Sequence, residues 1–234
     1  NLVCTKRNNK KSKIILDTYT NSFVYSSMNY EVTMNIKELG EKFVTHLHNT
    51  EINLTENGDG RLESLNSEDD VTDSLRENFK GVNFLEKGHN RSFGDIDVEI
   101  DGVVYPINIK MVDEKTGTYN GGGPKVFNYV LFGKKDTNWK RLVKSIKENK
   151  PTEVHSEYFY LVYYKRSNKK PQFVSLTDID RNSIVTNPSN PIQLKQNLNS
   201  VDRTESEKVG FMIELFKEVL YKRAEPYMLL QDMI

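Results

Sequence analysis

Gly94-Asp95-Ile96-Asp97-Val98-Glu99-Ile100, then Asp101-Gly102, then Val103-Val104-Tyr105-Pro106-Ile107-Asn108-Ile109-Lys110 is the stretch from which the fold can be read. Asp-Gly between two alternating runs is a strong two-residue hairpin signal, because both turn positions need positive φ. Side chains alternate along a strand. Asp95, Asp97 and Glu99 therefore share one face, and Ile96, Val98 and Ile100 the other. The two-residue turn fixes the register: Asp97 opposes Pro106, and Asp95 opposes Asn108. Opposed residues point to the same side of a sheet. Asp95, Asn108 and Lys110 are expected to cluster there, with Asp97 beside them. Pro106 falls at a pair that exchanges no hydrogen bonds, so its missing N–H leaves the hairpin intact.

Clustered carboxylates repel one another unless a cation sits between them. Oxygen ligands suit a hard ion such as Mg²⁺. A lysine on the same face can orient an attacking water and stabilise charge on a phosphate. A metal held by few protein ligands keeps waters, one of which becomes a nucleophile at neutral pH. This is the equipment of phosphodiester hydrolysis. The bland alternative is a surface hairpin with its charges outward, which the alternation permits equally.

Gly94-Asp95 followed by Asn108-Ile109-Lys110 resembles the PD-(D/E)XK nuclease motif, most of all its variants in type II restriction endonucleases. Gly94 stands where proline is usual, and Asn108 where an acid is usual. Two further stretches resemble segments of such enzymes: Asn120-Gly-Gly-Gly-Pro-Lys-Val-Phe-Asn-Tyr-Val-Leu-Phe-Gly133, and Asn187-Pro188-Ser189-Asn190-Pro191-Ile192-Gln193. The likeness covers residues 82–194. It implies that Asp95 and Asn108 belong to a Mg²⁺ site and that Lys110 positions the water. Asn108 is neutral, which leaves the metal site short of charge. Asp97 is the nearest residue able to supply it, and Glu77, Glu86, Glu38 and Glu41 are the other candidates.

Outward from the hairpin, Ile36, Leu39, Phe43, Val44 and Leu47 form one stripe of a helix over 34–48. Residues 55–70 read as a polar loop, 71–79 as a short helix, and Val82–Leu85 as a strand. The Gly121–Gly123 run reads as a loop near DNA. It is not a nucleotide-phosphate loop, since no Gly-Lys-Ser/Thr follows. A helix is expected over 137–149, and strands over Tyr158–Tyr164 and Gln172–Leu176. The aromatic run 158–164 reads as core rather than as a base-stacking platform. Thr204 and Glu207 form a capping box. Behind it Val209, Met212, Ile213, Phe216, Val219 and Leu220 keep helical spacing. This order implies an α/β fold with a central mixed β-sheet flanked by helices; the resemblance makes it restriction-endonuclease-like. One domain over 1–234 with a basic arm at about 1–16 is the expected organisation.

The 33 basic and 33 acidic side chains cancel overall but are segregated along the chain. Residues 1–16 carry +5, 63–73 carry −5, and 134–170 carry +7. A basic block in a neutral chain suits a polyanion-facing surface, although a solvated helix face accounts for it equally. A single cysteine, Cys4, excludes an intramolecular disulfide and a cysteine-built zinc site. His46, His48, His89 and His155 lack metal-ligand spacing. No apolar stretch reaches membrane length and no signal peptide is visible, so a cytoplasmic protein that does not enter membranes is expected.

The expected function is a Mg²⁺-dependent, site-specific double-stranded DNA endonuclease of the type II restriction class. It would act as a homodimer on a palindrome, two-fold protein symmetry matching two-fold sequence symmetry. Asn120, Lys125, Lys140, Arg141, Lys144, Asn187, Asn190 and Gln193 are the expected DNA-facing residues. The alternatives are a repair or junction-resolving nuclease of the same superfamily, and a non-catalytic nucleic-acid-binding domain with a decayed site.

Overall fold

In the computed structural model of the chain, Asp101 and Gly102 both take positive φ, 50° and 80°, as a tight hairpin turn requires. They join β2 (Ile96–Ile100) to β3 (Val103–Val112) in the register read from the sequence, with Ile96 opposite Ile107 and Asp97 opposite Pro106. Residues 34–52, 60–86, 93–113 and 117–231 are described. The expected basic arm, Cys4 and His89 lie outside the described residues.

β1 (Asn83–Phe84) pairs with β2 antiparallel. β3 runs past the end of the hairpin, and there β5 (Phe159–Tyr164) pairs with it in parallel, from Ile107↔Phe159 to Val112↔Tyr164. A parallel pair needs a crossover. α3 (Pro124–Phe132) and α4 (Trp139–Asn149) lie within it. β6 (Gln172–Ser175) closes the sheet, whose order is β1-β2-β3-β5-β6. A smaller sheet, β4-β8-β7, is built from β4 (Thr118–Gly122), β7 (Ile184–Thr186) and β8 (Ile192–Lys195).

Each face of the large sheet has its own core. Ile96, Val98, Ile107, Ile109, Phe159 and Leu161 pack against α1 (Ile36–Asn49) and α2 (Gly60–Asn78). The α1 stripe is buried as its spacing requires, and Asn35 and Glu38 close a capping box at its start. On the other face Tyr158, Tyr160, Val162 and Tyr164 meet α3, α4, the smaller sheet and α5 (Glu205–Gln231). Both faces of β5 are thus covered, and its aromatic run is core. The Thr204–Glu207 box starts α5: the Thr204 N–H donates to Glu207 Oε2 at 2.8 Å. The fold is α/β, a mixed sheet between helical layers. Among the described residues no helix is long and apolar enough to cross a membrane.

Two expectations need correction. Residues 60–70 are the first half of α2, not a polar loop. Among its described side chains the buried ones are Ser67, Val71, Thr72 and Leu75, a helical stripe that alternates polar with apolar side chains and so shows no apolar period. The glycine-rich segment is likewise not simply a loop. Asn120, Gly121 and Gly122 lie in β4, and Pro124 opens α3.

Candidate active site

Gly94 crosses directly over the β3 backbone. A Cβ there would lie 2.6 Å from the Ile107 carbonyl oxygen and 2.7 Å from its nitrogen. No side chain fits, the proline of the resembled motif included. The close approach lets the Asp95 N–H donate to the Ile107 carbonyl at 3.0 Å. It also brings Asp95 Oδ2 within 2.8 Å of the Ile109 amide, which donates to it. The regular pairing of β2 with β3 ends at Ile96↔Ile107, so Asp95, just outside β2, meets β3 through these two hydrogen bonds, which bracket Asn108.

Asp97 has another task. It is 2% exposed, and both its oxygens accept the Phe93 N–H, at 3.0 and 2.9 Å. Oδ1 also accepts the Gly94 N–H at 3.0 Å. This carboxylate clamps the turn that delivers Asp95. Lys110 lies two residues beyond Asn108 on the same face of β3, beside Val162 of β5. Both are half-buried.

The second carboxylate near Asp95 comes from α2. Burial pushes the Glu68 carboxyl up, to about 7; the Lys110 ammonium opposes this, Asp95 and Asp69 add to it, and Lys165 opposes it. Glu68 therefore lies within electrostatic reach of both Asp95 and Lys110. Sequence reasoning missed it because residues 55–70 read as a loop. The available signal was the spacing of Ser67, Val71, Thr72 and Leu75, which puts Glu68 at the margin of the buried stripe. Among the other acids considered, Glu38 is engaged in the α1 capping box. Glu77 is exposed, about two and a half turns further along α2. Glu41 and Glu86 are exposed.

The other expected DNA-facing residues fall into separate groups. Asn120 of β4 and Gln193 of β8 are direct cross-strand partners. Asn120 Oδ1 accepts the Gly122 N–H at 2.9 Å, and Thr118 Oγ1 donates to Gln193 Oε1 at 3.3 Å. Asn187 and Asn190 are exposed on the β7–β8 connection, where Asn187 Oδ1 accepts the Ser189 N–H. Lys140, Arg141 and Lys144 lie on the exposed side of α4, opposite buried Leu142. Lys125, in the first turn of α3, sits 4.4 Å above the Phe93 ring, two residues from Asp95.

Asp95, Glu68 and Lys110 thus place two carboxylates and an ammonium in electrostatic reach of one another, and Asn108 lies on β3 between the two residues that Asp95 bonds. Among the described residues no three His, Cys, Asp or Glu side chains converge on one point. The oxygen set still fits a hard divalent ion that keeps several waters: two mutually repelling carboxylates are what such an ion would reconcile. Asp95 and Glu68 would hold it, with Asn108 as a neutral third donor. No protein-family model matches the chain, and no curated protein matches it in sequence.

Proposed function

We propose that this protein is a Mg²⁺-dependent, site-specific double-stranded DNA endonuclease with a restriction-endonuclease-like fold, of the type II restriction class. The observation that carries the reading is the hydrogen bond from the Ile109 N–H to the Asp95 carboxylate, one residue before Lys110, with the Glu68 carboxyl in electrostatic reach of Asp95 and Lys110. A central mixed sheet with the β2–β3 hairpin inside it agrees with the resemblance.

A bound divalent ion would supply an acidified water and offset charge building on the phosphate. The chain's own residues do the rest. The Ile109 N–H fixes the orientation of Asp95. Lys110 holds the attacking water by hydrogen bonding and stabilises the added negative charge on the phosphate oxygens. Asp97 keeps the preceding turn in place from within the protein. Two copies would cut both strands of a palindrome, one active site for each.

The test is a plasmid digest. Discrete bands with Mg²⁺, none with chelator and none for Lys110→Ala are expected, with duplex binding by the variant retained. Near-normal turnover of Lys110→Ala would remove this lysine from the mechanism. The neutral amide of Asn108 favours a second reading, a non-catalytic DNA-binding domain. Binding without any metal-dependent cleavage would establish it, and selective cutting of branched DNA would instead establish a junction-resolving enzyme.

A further inference from the structure

α5 holds the β7–β8 connection at two points. At Thr186, the last residue of β7, the hydroxyl donates to Glu218 Oε1 and accepts from Lys222 Nζ at 2.7 Å. Lys222 Nζ also donates to the Thr186 carbonyl at 3.3 Å. Arg223, the next residue of α5, reaches the connection itself: its Nη1 donates to the Pro188 carbonyl at 2.5 Å. The guanidinium lies 4.8 Å from the centroid of the Trp139 ring at the start of α4, and that ring stacks on Phe216 of α5. A planar cation laid on an indole face is held in orientation as well as in place. Arg223 thus pins the Pro188 carbonyl to a fixed point of the helical layer.

The pinning leaves the tip side chains free. Pro188 and Pro191 preset φ on either side of Ser189-Asn190, and Asn187 Oδ1 accepts the Ser189 N–H at 2.9 Å. Asn187 and Asn190 are exposed, and among the described residues nothing hydrogen-bonds Asn187 Nδ2 or the Asn190 carboxamide. Unengaged carboxamides on a rigid mount are suited to base edges, which present donors and acceptors at set positions. The connection also lies on the flank of Asp95. Ile192, at its far end, stands between Thr186 of β7 and Gly122 of β4. Three residues past Gly122, Lys125 rests 4.4 Å above Phe93, two residues before Asp95.

We propose that Arg223 is a positioning residue for sequence discrimination: it fixes the β7–β8 connection so that Asn187 and Asn190 meet the base edges of the bound duplex in one register. The inference rests on the endonuclease reading and deepens it. Arg223 acts through the Pro188 carbonyl and not on the reacting atoms. Without it the connection keeps its anchor at Thr186 but loses the one at Pro188. Near-cognate sites then gain on the true one by about tenfold, the scale of a single mismatched base pair.

The experiment maps cleavage of a plasmid of known sequence in Mg²⁺ by wild type, Arg223→Ala, Arg223→Lys and Lys217→Ala. It also measures Tm, and binding of a mixed-sequence duplex in Ca²⁺ across a salt series. Arg223→Ala should add bands at near-cognate sites while its salt slope stays at the wild-type value. Arg223→Lys should remove the added bands, since an ammonium can still reach the Pro188 carbonyl and lie on Trp139. Lys217→Ala, which loses a pair with Glu214 on the exposed side of α5, should match wild type. An unchanged set of bands for Arg223→Ala overturns the inference. A slope lowered by about 0.9 also overturns it and makes Arg223 a phosphate ligand instead. So do added bands that Arg223→Lys retains together with a lowered Tm, since the residue then only supports the fold. If wild type cuts no DNA with Mg²⁺ or Mn²⁺, the endonuclease reading falls, and selection from a random duplex pool in Ca²⁺ decides the role of Arg223. A sequence enriched by wild type and not by Arg223→Ala sustains it; the same outcome for both proteins overturns it.

Discussion

The Ile109 amide donates to the Asp95 carboxylate at 2.8 Å across the hairpin, one residue before Lys110. The two halves of the candidate motif are therefore joined by a hydrogen bond between neighbouring strands rather than by a loop. A site mounted on paired strands is held more precisely than one built on loops, which oriented chemistry requires.

Asp95 is expected to be indispensable. Asp95→Asn keeps the size and can still accept the Ile109 amide proton, but it removes the charge. Calorimetric titration should find Mg²⁺ binding lost at ordinary concentrations, and plasmid cleavage should vanish with it. Asn108→Asp adds a carboxylate on β3 between the two residues that Asp95 bonds and should tighten Mg²⁺ or Mn²⁺ binding. Its cleavage rate need not rise, since a more tightly held ion can sit in the wrong geometry. Wild-type metal binding and cutting by Asp95→Asn would refute both the register argument and the assignment.

Gly94→Ala tests the crossing itself. Its Cβ would meet the Ile107 backbone at 2.6 Å, and backbone atoms in mid-strand cannot step aside as a flexible side chain can. Overpacking of this kind costs about 1–3 kcal/mol. For a chain of this size that is a fall in Tm of roughly 2–12 °C. Cleavage should fall further than stability, because the strain displaces Asp95. Thermal melting checks the first, and cleavage assays well below the variant's Tm check the second. A variant that melts and cuts like wild type would mean the strands are not so close.

What the sequence made legible follows the strength of local signals. The hairpin was readable to the residue because Asp101-Gly102 permits one register and the alternation of Ile96, Val98 and Ile100 agrees with it. α1 was readable from an unbroken apolar stripe. α2 was half hidden because Ser67 and Thr72 occupy buried positions, and Glu68 was hidden with it. α3 was missed although it carries both end signals, Pro124 in the first turn and Gly133 in the left-handed conformation at the end. Every α3 side chain from Val126 to Leu131 is buried, so its apolar run lacks the one-sided period that marks a surface helix. The smaller sheet was missed because β7 and β8 are too short to show alternation.

α4 offers a prediction about the basic block. Lys140, Arg141 and Lys144 are exposed, but Arg141 is paired with Asp136 at 3.2 Å and Lys144 with Glu148 at 3.7 Å. Exposed pairs of this kind are worth little and open readily for a phosphate. Neutralising all three should weaken binding to every DNA sequence and lower the salt slope by up to about 2.7. An unchanged slope identifies α4 as a solvated face.

Acid should loosen the β7–β8 region through Glu218 of α5. Burial alone would raise this carboxyl, but hydrogen bonds from Thr186, Arg181 and Lys222, with the charge of Arg181, hold it down at about 2. Thr186 Oγ1 donates to Glu218 Oε1 at 2.5 Å, and Lys222 Nζ lies 3.1 Å from the same oxygen. The folded pKa lies below the ordinary carboxyl value of 4.5, so between them the unfolded chain binds the extra proton. Stability from this group is therefore fully present above about 4.5 and is lost as pH falls toward 2. The carboxylate is partly exposed, so screening reduces the effect and high salt should shrink it further. Glu218→Gln should lower Tm at neutral pH and flatten its fall across that acid window. The difference between wild-type and variant Tm should close as pH approaches 2. Thr186 precedes the turn that carries Asn187 and Asn190, so amide exchange from 186 to 190 should quicken in the variant. A Tm difference that persists unchanged at pH 2 would show that Glu218 contributes by packing rather than by charge.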